Sequence, residues 1–388
     1  MAKLATRIGQ IQPFHVMEIL AQAKALEATG RSVIHMEIGE PDFSTPQPII
    51  QAGMAALQQG KTHYTQALGI MPLKEALAQY YWERFQVDIS PHRILLTPGA
   101  SGGLLLLMGA FIDNGQEVLL ADPGYPCYRH FAAFCGGIAR NIPVDALSQY
   151  HLTPELIGAH WQHHTQLALV SSPCNPTGMV MDKTTLAALH HSVVERGGRL
   201  IVDEIYQGLS YAAESYTALS IDPEICVVNS FSKYFGMTGW RLGWIVVPEN
   251  LVPIMDKLAQ NLFLAPSTIA QWAALAAFST ETQSILEDRR WQFQQRRDYL
   301  LPQLRQLGFT IPLTPQGAFY IYANCDFLSQ DSQQFAQNLL QQQGLAITPG
   351  IDFGTYQNAQ HVRFSYTLAL DQIEAALQRL RNYIASVC

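Results

Sequence analysis

Lys233 stands in NSFSKYFGMTGWRLGW (229–244) among serines, aromatics and glycines, with no acidic residue beside it to pair its charge. A surface lysine usually sits in a polar helix-forming run, as Lys74 is expected to in LKEALAQ; Lys233 instead follows the strand-like ICVVNSF and precedes glycine-rich backbone. Lys3, Lys24, Lys61, Lys183 and Lys257 have no comparable setting. Other reactive groups follow apolar runs in the same way: Asn175 after LALVSS, Asp203 closing LIVD, Tyr206 three residues on, and Ser230 after VVN. No G-x-x-x-x-G-K-[ST] is present, and GASGG (99–103) does not match G-x-G-x-x-G, so nucleotide-binding loops are unsupported. A lysine can form a Schiff base with an aldehyde, and a carboxylate can keep a pyridinium nitrogen protonated. With phosphate-capable groups nearby, these parts suit pyridoxal phosphate.

Such residues must be brought together by their elements. From about residue 93 strand-like and helix-like segments alternate: RILLTPGA, SGGLLLLMGAFI, EVLLADPGYP, TQLALVSSPCNPTG, TLAALHHSVVERGG, RLIVDEIYQG and ICVVNSFSK. Apolar runs bounded by turns and spaced by helices predict an α/β fold, a mostly parallel sheet covered by helices on both faces. Ligands of such sheets bind beyond the carboxyl ends of the strands, where Asn175, Asp203, Tyr206, Ser230 and Lys233 are expected to converge. Past residue 280 a long polar helix, strand-like GAFYIYANC, another helix and HVRFSYT predict a smaller α+β domain. The expected division is 1–45 with the small domain, 46–285 as the large cofactor-binding domain and 286–388 as the small C-terminal domain.

Composition narrows the partners. The 388 residues carry a net charge of -7, with 48% hydrophobic and 14% charged residues, a globular rather than disordered profile. With no Lys/Arg run, neither nucleic acid nor an anionic membrane surface is expected as a partner. The start lacks the apolar core of a signal peptide and no window resembles a membrane span, so a cytoplasmic protein is expected. Cys127, Cys135, Cys174, Cys226, Cys325 and Cys388 form no C-x-x-C pair and are read as buried free thiols. His160, His163, His164, His190 and His191 lack ligands at matching spacing, so no metal is expected.

MEIGEPDFSTP (36–46), HYTQALG (63–69), TPGAS (97–101), DPGYP (122–126), NPTG (175–178), DEIYQGL (203–209), SFSKYFGMTGWRLGW (230–244) and HVRFSYT (361–367), in this order, resemble a class I/II aminotransferase, a fold-type I pyridoxal phosphate enzyme. The resemblance spans nearly the whole chain. It implies that Lys233 forms the Schiff base, that Asp203 partners the pyridine nitrogen, and that Tyr206 and Asn175 bond the cofactor's phenolic oxygen. Arg241, Ser230 and the backbone N–H groups of Ala100 and Ser101 are implied at the phosphate, with Ser232 as a further candidate. Tyr125 is implied as the aromatic stacked on the ring. Arg363 is implied to grip the substrate α-carboxylate, with the Gly39 backbone and Asn175 beside it. Tyr64 resembles the tyrosine that reaches the neighbouring subunit's cofactor, which implies a homodimer.

The implied reaction moves an amino group from an L-amino acid to a 2-oxo acid through alternating pyridoxal and pyridoxamine forms, with Lys233 moving the proton. Some aspartate-using relatives carry lysine where Ser101 stands, so an uncharged donor such as alanine, methionine or an aromatic amino acid is expected. A carbon–sulfur β-lyase on the same scaffold is the alternative reading. A non-catalytic cofactor-binding regulator is the remote one, since only about 35 residues, without a basic recognition helix, precede MEIGEPDF.

Overall fold

The protein is described by a computed structural model over residues 4–211 and 215–387; Lys3 and Cys388 lie outside the described residues. Seven strands form the main sheet in the order Ile94–Thr97, Gly243–Val246, Cys226–Ser230, Arg199–Asp203, Thr165–Ser171, Glu117–Asp122 and Ile138–Pro143. Adjacent strands from Cys226–Ser230 to Ile138–Pro143 pair in parallel, and Gly243–Val246 is antiparallel to both of its neighbours. The central strands are apolar because both faces are covered: every residue of ILLT, CVVNS and GWIV is buried. The expected α/β architecture is therefore present, and Thr97, Asp122, Ser171, Asp203 and Ser230 all end strands that point the same way.

Small residues let one helix settle against this edge. The Gly99–Phe111 helix packs so closely that a Cβ on Gly103 would lie 2.5 Å from Ile245 Cγ2, and one on Gly243 would lie 2.7 Å from the Ala100 nitrogen. Among the described residues no side chain caps its N-terminus, so its first N–H groups remain available to an anion.

A three-stranded antiparallel sheet, Thr348–Pro349, His361–Ser365 and Tyr320–Asn324, faces the ends of the main sheet. A parallel pair, Ile34–His35 with Leu345–Ala346, ties the N-terminal segment to it. The 36–46 stretch then bridges both units. Ser365 N donates to the Met36 carbonyl at 2.8 Å, Arg296 holds Asp42 through two bonds of 2.8 and 2.9 Å, and Thr45 Oγ1 donates to the Gly236 carbonyl at 2.8 Å.

Two expectations are corrected. Lys74 is not a surface residue: it is 4% exposed, and burial pushes its ammonium below the usual lysine range while Asp256 opposes the shift. Its long stem lets a residue of a polar-looking helix lie against the core. Of the cysteines, Cys174, Cys226 and Cys325 are buried and free, but Cys127 and Cys135 are only half-buried. Among the described residues no helix is long and apolar enough to cross a membrane.

Candidate active site

A cavity of about 300 Å³ opens between the carboxyl ends of the main sheet and the antiparallel sheet. Gly39, Ala100, Ser101, Tyr125, Asn175, Asp203, Tyr206, Lys233 and Arg363 all line it. The loop after Cys226–Ser230 carries Lys233, whose Nζ donates to the Gly39 carbonyl at 2.7 Å. Burial pushes its pKa down to about 8, against the pull of Glu40, with Arg363 and Arg241 adding to the lowering. A substantial neutral fraction at mildly alkaline pH follows, which a nucleophilic amine requires.

Asp203 ends its strand with a buried carboxylate that accepts from the Tyr128 hydroxyl at 2.7 Å and from the Ile205 N–H at 3.0 Å. Burial raises its pKa to about 6 and the two donors resist the rise, so the group is anionic at neutral pH. Across the cavity, Arg363 Nη1 donates to Asn175 Oδ1 at 2.8 Å, which leaves the Asn175 amide nitrogen free to donate. Arg363 Nη2 reaches Thr348 Oγ1 at 3.1 Å and the Glu37 carbonyl, while Nε is buried without a partner among the described residues. A buried guanidinium with an unused N–H is suited to an incoming carboxylate.

Three expected site residues stand off the cavity wall. Ser230 is fully buried, its Oγ donating to Ser232 Oγ at 2.9 Å and accepting from the Ser232 N–H at 3.0 Å. Arg241 adopts a left-handed backbone (φ 53°) and packs its guanidinium so near the helix start that a Cβ on Gly99 would lie 2.6 Å from Nη2. It therefore sits beside the uncapped N–H groups rather than in the cavity. Tyr64 is 82% exposed and does not line the cavity of its own chain.

Other wall residues carried no local signal. Phe14, Val16 and Met17 arrive through the first turn of the His15–Ala28 helix, whose His15 N–H is held at 2.9 Å by Asp352 Oδ1 from the far end of the chain. Tyr320 and Tyr128 also line the cavity; the Tyr128 N–H donates to the Tyr125 carbonyl at 3.3 Å as the chain enters the Cys127–Phe134 helix.

The groups present fit pyridoxal phosphate. The cavity offers an amine with lowered pKa, a buried carboxylate braced by two donors, a phenol, an aromatic wall and an uncapped helix start with a guanidinium beside it. A parallel sheet carrying that set at its strand ends defines a pyridoxal phosphate enzyme. Residues 31–380 match the family model for aminotransferase class I and II. The chain is 36% identical over 386 residues to a valine–pyruvate aminotransferase of Mycobacterium tuberculosis, covering 99% of each. It is 33% identical to an aspartate aminotransferase of Geobacillus stearothermophilus, covering 98% of this chain and 99% of that one. A solved aminotransferase structure from Mycobacterium tuberculosis superposes with a TM-score of 0.96 at 35% identity, covering all of both chains. The chain belongs to the class I and II aminotransferase family: it is an aminotransferase, and its cofactor is pyridoxal phosphate.

Proposed function

We propose that the donor is an L-amino acid with an uncharged, mainly apolar side chain, and that Lys233, Asp203, Tyr206 and Arg363 are the groups that handle it. The observation that carries this is the cavity lining: Phe14, Val16, Met17, Ile38 and Leu104 are apolar, Glu40 and Asp203 are acidic, and among the described residues the only cationic side chains lining it are Lys233 and Arg363. With Arg363 engaged by the α-carboxylate, no described lining residue supplies a second cation for a distal carboxylate. An apolar side chain gains from contact with such a wall, whereas a buried unpaired carboxylate is costly.

When bound, the cofactor supplies an electron sink for the pair released at the substrate Cα. Asp203 would face the ring nitrogen as an anion. Tyr206 and Asn175 would donate to the ring oxygen. Ser230, Arg241 and the N–H groups of Ala100 and Ser101 would hold the phosphate, and Tyr125 would cover the ring. Lys233 Nζ, when neutral, would accept the Cα proton and hand it to the cofactor carbon that keeps the amino group, and would carry a proton the opposite way when the 2-oxo acid is converted. Arg363 and the Gly39 backbone orient the carboxylate so that the Cα proton faces Nζ. Tyr64, highly exposed on its own chain, supports a homodimer in which it serves the partner's site. Unpaired cysteines are compatible with a reducing compartment, the cytoplasm.

The test is a donor panel. Holoenzyme is mixed with single L-amino acids without any 2-oxo acid, and the loss of the cofactor's visible band is followed. Methionine, leucine, alanine and phenylalanine are expected to bleach the band faster than aspartate. Faster bleaching by aspartate would overturn the donor assignment, and catalytic release of pyruvate and ammonia from cysteine conjugates would indicate a lyase.

A further inference from the structure

We propose that Tyr320 is a positioning residue that joins the two halves of the site: its hydroxyl sets the hydroxyl of Tyr206, and its ring holds the guanidinium of Arg363. This rests on the assignment of Tyr206 and Arg363 made above. Tyr320 is 1% exposed and lies on the Tyr320–Asn324 strand, where Ser365 is its direct cross-strand partner and Arg363 its diagonal one. The Arg363 guanidinium lies 4.2 Å from the Tyr320 ring centroid and 4.9 Å from that of Phe353. Two aromatic contacts and the bonds to Asn175 and Thr348 leave that cation little freedom to tilt.

The hydroxyl acts elsewhere. Tyr320 Oη and Tyr206 Oη are 2.8 Å apart, and among the described residues neither has another hydrogen-bond partner. Either can donate in the isolated pair. Once Tyr206 donates to an acceptor in the cavity, only Tyr320 can donate to Tyr206, so the chain acquires one direction and Tyr206 becomes the stronger donor. The same hydroxyl explains Gly39, where a Cβ would lie 1.9 Å from Tyr320 Oη. Because the Gly39 carbonyl accepts from Lys233 Nζ, Tyr320 contacts the support of all three reacting groups.

The experiment is a pH titration of the cofactor's visible absorption in holoenzyme, for the unmodified protein, Tyr320→Phe, Tyr206→Phe and the double variant. A hydrogen bond to the ring oxygen favours its anionic form and lowers the pH at which the chromophore loses its proton, so weakening that bond raises the midpoint. Tyr206→Phe is expected to raise it most. Tyr320→Phe is expected to raise it by about half to one pH unit, with the KM for amino acid unchanged, and the double variant to match Tyr206→Phe alone. Tyr320→Leu, which also removes the ring, should raise that KM about fivefold. An unmoved midpoint in Tyr320→Phe, with Tyr206→Phe shifted and both folded by circular dichroism, would overturn the role of Tyr320. An unmoved midpoint in Tyr206→Phe would instead overturn the underlying site assignment.

Discussion

On the sheet side of the cavity the reactive groups hang from strand ends that are themselves buried, with Asp203 2% exposed; on the opposite side Phe14, Val16 and Met17 enter on a single helical turn whose Met17 is 50% exposed. The first wall is embedded in a seven-stranded sheet, the second in the first turn of a helix whose His15 N–H is held by Asp352 and whose Ile19 and Ala23 pack on Leu340 and Ala346. Burial moves Lys233 and Asp203 toward neutral pH, which acid–base chemistry needs, and their strands fix them in place. A donor wall built on the periphery can change shape without disturbing that chemistry. Substitutions on the sheet side should therefore act on kcat, and those on the periphery on KM and on the choice of donor.

The largest effect is expected at Lys233. Lys233→Ala should lower turnover by about a thousandfold or more while the protein stays folded, because the proton at Cα loses its carrier. A pH experiment sharpens the contrast between walls. A lysine with its pKa lowered to about 8 is neutral above that pH and protonated below it. The rate at which apoprotein takes up pyridoxal phosphate should accordingly rise with pH to a midpoint near 8. A midpoint near the ordinary lysine value of 10.5 would show that the sheet side does not desolvate its amine.

The same contrast explains what the sequence makes legible. Lys233, Asp203 and Asn175 follow apolar strands directly, so the rule that ligands bind beyond strand ends finds them without knowledge of tertiary contacts. Tyr320 and Tyr322 both read as strand aromatics, and only the three-dimensional approach of Gly39, 281 positions earlier in the chain, singles out the first. Met17 is placed by Asp352, which caps its helix from 337 residues away. Lys74 shows the converse, since its polar helical run gives no hint that the side chain lies under neighbouring structure. Local pattern thus reveals the wall made of consecutive strand ends and hides the wall made of distant contacts.

Arg363 stands where the two walls meet, and its substitution should have an intermediate effect. Arg363→Lys keeps the charge but loses the planar fork and the bond to Asn175. The KM for amino acid should rise roughly 10- to 100-fold, with a smaller loss in kcat. Steady-state kinetics with one donor and a saturating 2-oxo acid separate the two. A loss confined to kcat would mean that Arg363 belongs functionally to the sheet side, and the division would have to be redrawn.

The smallest effect is expected from adding charge to the donor side. Ser101 is exposed in the first turn of the Gly99–Phe111 helix and lines the cavity, so a longer side chain there extends into open space rather than into the core. Ser101→Lys supplies the second cation that the wall lacks. A lysine near a helix N-terminus opposes the helix dipole by a few tenths of a kcal/mol, which the fold tolerates. The ratio of kcat/KM for aspartate to that for methionine should rise by about tenfold, with the absolute rate for methionine little changed. If methionine turnover falls as far as aspartate turnover rises, the added lysine is interfering at the phosphate end of the cavity. Ser101 would then belong to the cofactor wall through its side chain as well as its N–H, and donor choice would rest on Phe14, Met17 and Leu104 alone.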